Sequence, residues 1–430
     1  MLDIRLIRED AQGVKDALLK KEIDASATID EILQLDTKRR ALVQAAEEQK
    51  AEQNKVSKQI PAMKKAGEDT TEIMTQMKTL SDSIKGLDGQ LKELEGALGT
   101  LMLGLPNMPD ADLPGGGKEH NEEIRTFGTP KTFDFAPQNH VDLCTNLGLI
   151  DYERGAKIAG SGFWIYRGLG ARLEWALLNY FVDTHLGDGY ELILVPHLLN
   201  HAAGQTAGQF PKFAKDVFWL HSDEGEQKRF LLPTSETALV SMHQGEILTE
   251  AELPKKYISY TPCYRREAGS YRSDERGMVR GHQFNKVEMV QYTRPEDSEK
   301  AFDELVGKAE ALVRDLGFHF RTVRLAAGDC SASMARTYDI EIHIPSMEGY
   351  KEVSSVSNAR DYQARRGMVR FRREETGKPE LVHTLNGSGL ATSRILPAIV
   401  EQNQRADGSV VVPEVLRKYL GGLEVLTKPE

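Results

Sequence analysis

Core-type positions in the first hundred residues advance by three and four. They run Ile32, Leu35, Arg39, Leu42, Ala46, Gln49, Gln53, Val56, Ile60 and Met63, then Ile73, Met77, Leu80, Ile84, Leu87, Leu91, Leu94, Leu98, Leu101 and Leu105. A seam sustained over several heptads predicts two long helices. Lys65–Thr70 between them reads as a short turn, so the pair predicts an antiparallel coiled-coil hairpin over about residues 30–103. At about 1.5 Å per residue each arm would be about 50 Å long. The first seam is the weaker, with Arg39, Gln49 and Gln53 at core positions, whereas leucine dominates the second. Pro61 removes a helix hydrogen bond and predicts a kink or an early helix end near the tip. The solvent faces carry Lys38, Arg40, Lys50, Lys55, Lys58, Lys78, Lys85 and Lys92 among acidic residues. Ordinary solvation and contact with an RNA backbone both account for that pattern, and the periodicity does not choose between them.

Beyond Leu105 the pattern breaks. Pro106, Pro109, Pro114 and Gly115–Gly117 predict a linker over 106–120, between a first domain over 1–105 and a second over 121–430. In the second, Leu169–His185 reads as a helix with Leu173, Leu177, Tyr180 and Phe181 on one stripe, and Glu191–Val195 as a strand closed by Pro196. Tyr338–Ile344 and Tyr350–Val356 read as a hairpin about Ser346-Met347-Glu348-Gly349. The fold class expected is α+β, a mainly antiparallel sheet flanked by helices.

Two segments of this domain carry chemistry. Cys263–Glu288 reads as strand, charged loop, strand, with Arg265 and Glu267 on one face of the first strand and Phe284, Lys286 and Glu288 on one face of the second. A core hairpin would not hold so many charges, because burying unpaired charge is costly. The layout suits a polyanion bearing a flat ring, with arginine for phosphate or carboxylate and an aromatic for a base. His383–Arg394 reads as a strand ending in a glycine turn that opens a helix. Gly387 and Gly389 would let a ligand approach the backbone, and Arg394 would aim back at the turn. Taken singly, an Arg-x-Glu is usually a surface ion pair and a Gly-Ser-Gly a plain loop. There is no Walker loop and no Gly-x-Gly-x-x-Gly after a strand.

A net charge of −10 excludes wholesale nucleic-acid affinity of the histone kind and leaves room for local basic patches. No apolar run is long enough to span a bilayer and no signal-peptide pattern opens the chain. Cys144, Cys263 and Cys330 are scattered, which predicts free thiols in a reducing cytoplasm, without disulfide framework or zinc site.

In this order the segments resemble motifs 2 and 3 of class II aminoacyl-tRNA synthetases, and most nearly the bacterial-type seryl-tRNA synthetases. The resemblance runs from Met1-Leu2-Asp3-Ile4-Arg5 through Thr261–Arg265, Glu267–Ser270, His282–Phe284, Lys286–Glu288 and Thr337–Asp339 to Val412–Arg417. It implies a homodimeric class II enzyme that joins L-serine to ATP as seryl-adenylate and transfers serine to the 3′ end of tRNA-Ser, and to tRNA-Sec as well. It implies that the coiled-coil arm grips the long variable arm of tRNA-Ser and that Leu169–Val195 stands where the family carries its dimerisation motif. By the same resemblance Arg265 would bridge the serine carboxylate and the α-phosphate, Glu267 would hold the adenine amino edge or a nearby ATP group, Phe284 would stack on adenine, and Arg394 would sandwich its other face or hold the γ-phosphate. Glu352 and Ser355 would ligate Mg2+, with Arg266, Val353 and Ser354 in the same ATP-contacting stretches. Thr234 and Glu236 would take the serine ammonium and Glu288 its hydroxyl, with Asn386 and Ser388 nearby. A buried carboxylate that demands a hydroxyl partner disfavours alanine, and threonine must be rejected by size. The charged loop 269–280, with Arg272, Arg276 and Arg280, would approach the tRNA acceptor end.

Some positions depart from the family pattern: Tyr271–Glu275, Ala332–Arg336, Val356 in Ser354–Asn358, and Thr392-Ser393 where Val-Gly is usual. None is a proposed ligand. Two other readings stay open on the residues alone. One is a serine-activating ligase that loads a carrier protein, for which the long basic-faced arm has no use. The other is a non-catalytic RNA-binding paralogue, against which Arg265, Glu267, Glu288, Glu352 and Arg394 all stand intact.

Overall fold

A computed structural model of the chain describes residues 1–220, 228–267, 277–347 and 349–428. These residues form two compact units, Met1–Leu19 with Ile23–Pro106, and Lys20–Glu22 with Asn107–Glu430.

The first unit is built on α1 (Ser26–Ala66) and α2 (Thr71–Gly104). Every predicted seam position is at least partly sheltered, with Ile32, Ala46, Val56, Ile73, Ile84 and Leu98 buried. The polar seam is real: Gln49 Oε1 and Arg39 Nε are buried without a hydrogen-bond partner, which weakens that half of the hairpin. Lys50 Nζ crosses to Asp88 at 3.0 Å, tying one helix to the other. The early helix end expected at Pro61 does not occur, since α1 runs through it to Ala66. Pro61 still gives up its hydrogen bond to the carbonyl four residues back, and the helix continues past it until it is closed by Gly67 at φ +75°, whose N–H donates to the Lys64 carbonyl.

The second unit is organised by one eight-stranded sheet. Its strands are β1 (Glu122–Phe127), β2 (Glu191–Leu192), β3 (Lys255–Tyr264), β4 (Gln283–Thr293), β5 (Phe320–Arg324), β6 (Arg336–Ile344), β7 (Gly349–Arg360) and β8 (His383–Ala391). They lie in the order β1-β5-β6-β7-β8-β4-β3-β2, antiparallel except for β2 beside β3. Three helices, α3 (Gly168–Gly187), α4 (Ser298–Asp315) and α5 (Thr392–Gln402), bury Leu177, Phe181, Phe302, Leu305, Ile395 and Ile399 in one cluster with sheet residues. Strand β4 explains the layering. Val287 and Met289 join that cluster, whereas Val290 and Tyr292 join a second one with Phe230 and Phe371. Glu288 shares the latter face by the two-residue period, and there the sheet is left open as a cleft.

Four expectations need correction. Strand β3 stops at Tyr264, so Arg265 and Glu267 stand just past it, with Glu267 at φ +49°. Of Glu191–Val195 only Glu191–Leu192 pairs, with Tyr257–Ile258. The hairpin of β6 and β7 is longer than predicted, and Glu348 of its turn lies outside the described residues. No glycine turn precedes the last helix: β8 runs unbroken through Gly387, Ser388 and Gly389. Both glycines answer to packing instead. A Cβ on Gly387 would sit 3.2 Å from Val356 Cγ2, and one on Gly389 2.8 Å from His185 Nε2.

Gly170 holds α3 against the preceding segment, where a Cβ would lie 2.1 Å from the Leu149 carbonyl oxygen. Gly170→Ala is therefore expected to destabilise by about 1–3 kcal/mol, more than the roughly 1 kcal/mol that alanine returns in helix propensity. Thermal unfolding checks it, and an unchanged or raised midpoint would refute the close contact.

Candidate active site

The cleft has a volume of about 610 Å3 and lies over the start of β4, the middle of β7 and the end of β8. Thr234, Glu236, Arg265, Glu267, Phe284, Lys286, Glu288, Glu352, Val353, Ser355, Asn386, Ser388 and Arg394 line it. Two residues predicted to belong there do not. Ser354 points to the opposite face of β7, where its hydroxyl donates to the Ser388 carbonyl at 2.7 Å. Arg266 turns away too, its backbone N–H and guanidinium donating to the carbonyls of Asp216 and Lys215. Arg272 and Arg276 of the charged loop lie outside the described residues.

The inner end holds two carboxylates. Glu288 is 1 % exposed and is gripped on both oxygens: Lys286 Nζ pairs with Oε2, and Asn386 Nδ2 donates to Oε1 at 3.1 Å. The strand register brings this about, because Glu288 on β4 faces Ser388 on β8, with a bulge between Lys286 and Glu288. Lys286 Nζ also donates to Thr234 Oγ1 at 2.8 Å, and the same oxygen accepts the Glu236 N–H at 3.2 Å. Gln363 Nε2 donates to Glu236 Oε1 at 2.9 Å, and Thr384 fixes the other end of that amide. Burial, and then the neighbouring Glu288 charge, push the Glu236 carboxyl up to about 7. Asn386 Oδ1 and Ser388 Oγ are buried with no partner, which leaves acceptor and donor capacity for a polar ligand.

The outer end is cationic and aromatic. The Arg265 guanidinium lies 5.2 Å from the Phe284 ring centroid, and its Nε donates to the Pro233 carbonyl at 3.3 Å. Arg394, on the first turn of α5, donates to the Glu352 carbonyl at 2.5 Å and lies 3.5 Å from its Oε2. Arg280 donates to Glu267 Oε2 at 2.5 Å. Along β7, Ser355 stands opposite Asp339 of β6, whose Oδ1 is buried without a partner. Burial and then the Glu352 charge hold the Asp339 carboxyl well above the usual range. Among the described residues no group of three or more His, Cys, Asp or Glu side chains is arranged to hold a metal ion. Glu352 and Ser355 in the cleft, with the orphaned Asp339 oxygen behind Ser355, are oxygen donors of the kind a hard cation would take.

Beneath the cleft, Glu174 of α3 is buried and accepts from Thr392 Oγ1 at 2.5 Å and Asn285 Nδ2 at 2.7 Å, with its second oxygen unpaired. It ties α3 to the start of the helix carrying Arg394 and to the strand carrying Phe284 and Lys286. Burial pushes its carboxyl up to about 7, against the hydrogen bonds from Thr392 and Asn285. Glu174, Gln363 and the bridging role of Lys286 were not anticipated from the sequence. A carboxylate inside the apolar stripe of a predicted helix was the available signal for Glu174. Nothing local marks Gln363.

A family model described as "tRNA synthetase class II core domain (G, H, P, S and T)" matches residues 218–403, and one described as "Seryl-tRNA synthetase N-terminal domain" matches residues 1–109. "Serine--tRNA ligase 2" of Clostridium acetobutylicum is 59% identical over 98% of this chain and 99% of its own. "Serine--tRNA ligase" of Geobacillus kaustophilus is 46% identical over 99% of this chain and all of its own. The crystal structure of seryl-tRNA synthetase from Pyrococcus horikoshii complexed with ATP superposes with a TM-score of 0.92 at 34% identity, covering 100% of both chains.

The Glu174 carboxyl supplies a pH signature. Its folded value of about 7 lies above the ordinary 4.5, so folding takes up a proton. The stability it contributes is full below the unfolded value and is lost as pH rises towards 7. Glu174→Gln should flatten the fall of the unfolding midpoint between about pH 5 and 7; identical midpoint–pH curves for both proteins would contradict this.

Proposed function

The chain belongs to the seryl-tRNA synthetases, and we propose on that premise how its own residues carry the family's reaction. It activates L-serine with ATP to seryl-adenylate and diphosphate, and transfers serine to the 3′ end of tRNA-Ser. The observation that carries the assignment of roles is the polarity of the cleft, acidic and buried at one end, cationic and aromatic at the other.

Serine enters with its ammonium at Glu236 and Thr234 and its hydroxyl at Glu288, with Asn386 and Ser388 as neighbours. A carboxylate shared with Lys286 and Asn386 is left with an unfilled acceptor site by alanine, and threonine is excluded by space. Lys286 offsets the charge of the two buried acids. ATP lies across the outer end, its adenine on Phe284 with Glu267 at the edge, and Arg394 on its other face or at the γ-phosphate. A serine carboxylate oxygen then attacks the α-phosphorus and the bond to diphosphate breaks. Arg265 spans the carboxylate and the α-phosphate, offsetting the repulsion between two anions and the charge that grows in the transition state. No protein nucleophile is required. Glu352 and Ser355, with Val353 alongside, would hold Mg2+, which would supply Lewis-acid neutralisation of the phosphates.

The domain of residues 1–105, through the exposed lysines of its helical hairpin over about residues 30–103, is assigned to tRNA recognition, and tRNA-Sec is included by membership of the family. A homodimer is proposed through α3 and the segment after it, where Trp175 is 56% and Leu194 77% exposed. No helix among the described residues is long and apolar enough to cross a membrane. The three free, buried thiols fit the cytoplasm where the substrates are found.

Serine-dependent exchange of diphosphate into ATP tests the active site, with alanine and threonine as controls. Exchange is expected with serine, and Arg265→Ala should reduce it by at least about 10²-fold without loss of fold; near-normal exchange in that variant would refute its role. For the hairpin, glutamate at Lys55, Lys58, Lys78 and Lys85 together should abolish tRNA charging while leaving exchange intact. Unimpaired charging would remove the arm from tRNA recognition and favour the carrier-protein reading.

A further inference from the structure

The connection between β5 and β6 forms part of the cleft wall, with Ser331, Ser333 and Met334 among its lining. Irregular backbone at a pocket has no ladder to occupy its carbonyls, so something else must hold them. Five consecutive carbonyls, 331 to 335, receive donors from two stretches remote in sequence. Lys21 Nζ donates to Ser331 O at 3.0 Å and to Met334 O at 2.7 Å. The Asn107 N–H donates to Ala332 O at 2.7 Å, its side-chain amide to Ser333 O at 3.0 Å and Ala359 O at 2.9 Å, and the Asp110 N–H to Ala335 O at 3.0 Å. Lys20–Glu22 and Asn107 onward belong to the same compact unit as this wall.

Lys21 is an unusual choice for mere packing. It is 5% exposed, and among the described residues its ammonium is held by backbone carbonyls with no carboxylate in an ion pair with it. Burying an ammonium is costly, and burial pushes its pKa down to about 8. The wall it holds leans on the Glu236 end of the cleft. A Cβ on Gly208 would sit 2.8 Å from Ser333 Cβ, and the adjoining Ala207 carbonyl accepts from the Gln363 amide that also bonds Glu236.

We propose that Lys21 and Asn107 are positioning residues for serine binding, holding the 331–335 wall so that Glu236 and its surroundings keep the shape that receives the amino acid. This rests on the proposed placement of the serine ammonium at Glu236. Neither residue touches substrate; both act through the wall.

Full-length Lys21→Met and Asn107→Asp, which keep size and remove the donors, are compared with the unaltered chain in serine-dependent exchange. Each should raise the serine KM about tenfold, a fraction of what a 1 Å misplacement can cost, with the ATP KM and kcat within about twofold. Asn107→Ser reads the same wall if the first variants do not fold. A lowered unfolding midpoint with an unchanged serine KM would overturn the proposal and leave both residues as scaffold only. Equal rises in both KM values would also overturn it, since the effect would not be confined to the serine end. Absence of serine-dependent exchange in the unaltered chain would overturn the proposed function itself, and this inference with it.

Discussion

Two carboxylates share the inner end of one cleft, and most of what surrounds them exists to make that tolerable. Removing an ion from water costs several kcal/mol even in a relaxed protein, and like charges compound the cost. Glu288 is matched by Lys286 and Asn386, whereas Glu236 has an amide partner and, among the described residues, no cation in direct contact. Its carboxyl, pushed up to about 7, registers the deficit. On the proposed reading the serine ammonium is the cation that Glu236 receives.

The sheet makes this possible by using β4 on both faces. Val287 and Met289 anchor the strand in the helix-covered core, which fixes where Phe284, Lys286 and Glu288 stand on the other side. A slip of one residue would exchange the two sets, so apolar packing behind the sheet enforces the chemistry in front of it. Glu174 continues the same logic a layer deeper, joining α3 to the roots of both the Phe284 strand and the Arg394 helix.

What was legible in the chain follows the range of the forces involved. The heptad seam is a local, repeated signal, and every predicted position is sheltered, polar Arg39 and Gln49 included. The alternation along β4 was legible for the same reason. The glycines of β8 were misread because Gly-Ser-Gly signals a turn locally, while Val356 and His185, remote in sequence, decide the matter. Pro61 was overvalued because one lost hydrogen bond does not end a helix whose turns on either side stay paired. The resemblance to a family gathered the cleft residues, yet Ser354 shows its limit: proximity in a motif does not tell which face of a strand a side chain takes. Lys21 and Asn107 bond to backbone, and Gln363 to backbone, Glu236 and Thr384, across long separations, and no pattern in one sequence encodes that.

The two packed glycines of β8 also bear on how this scaffold could be retargeted. Val356 and His185 crowd the far side of Gly387 and Gly389, so displacing the strand away from the cleft to admit a bulkier amino acid would require both to shift. Enlargement by that route would demand coordinated change in the sheet and in α3 at once. The loop bearing Thr234 and the wall at Ser333 are not pinned by a ladder of their own, and there an evolving or engineered enzyme would find the shorter path to a different side chain.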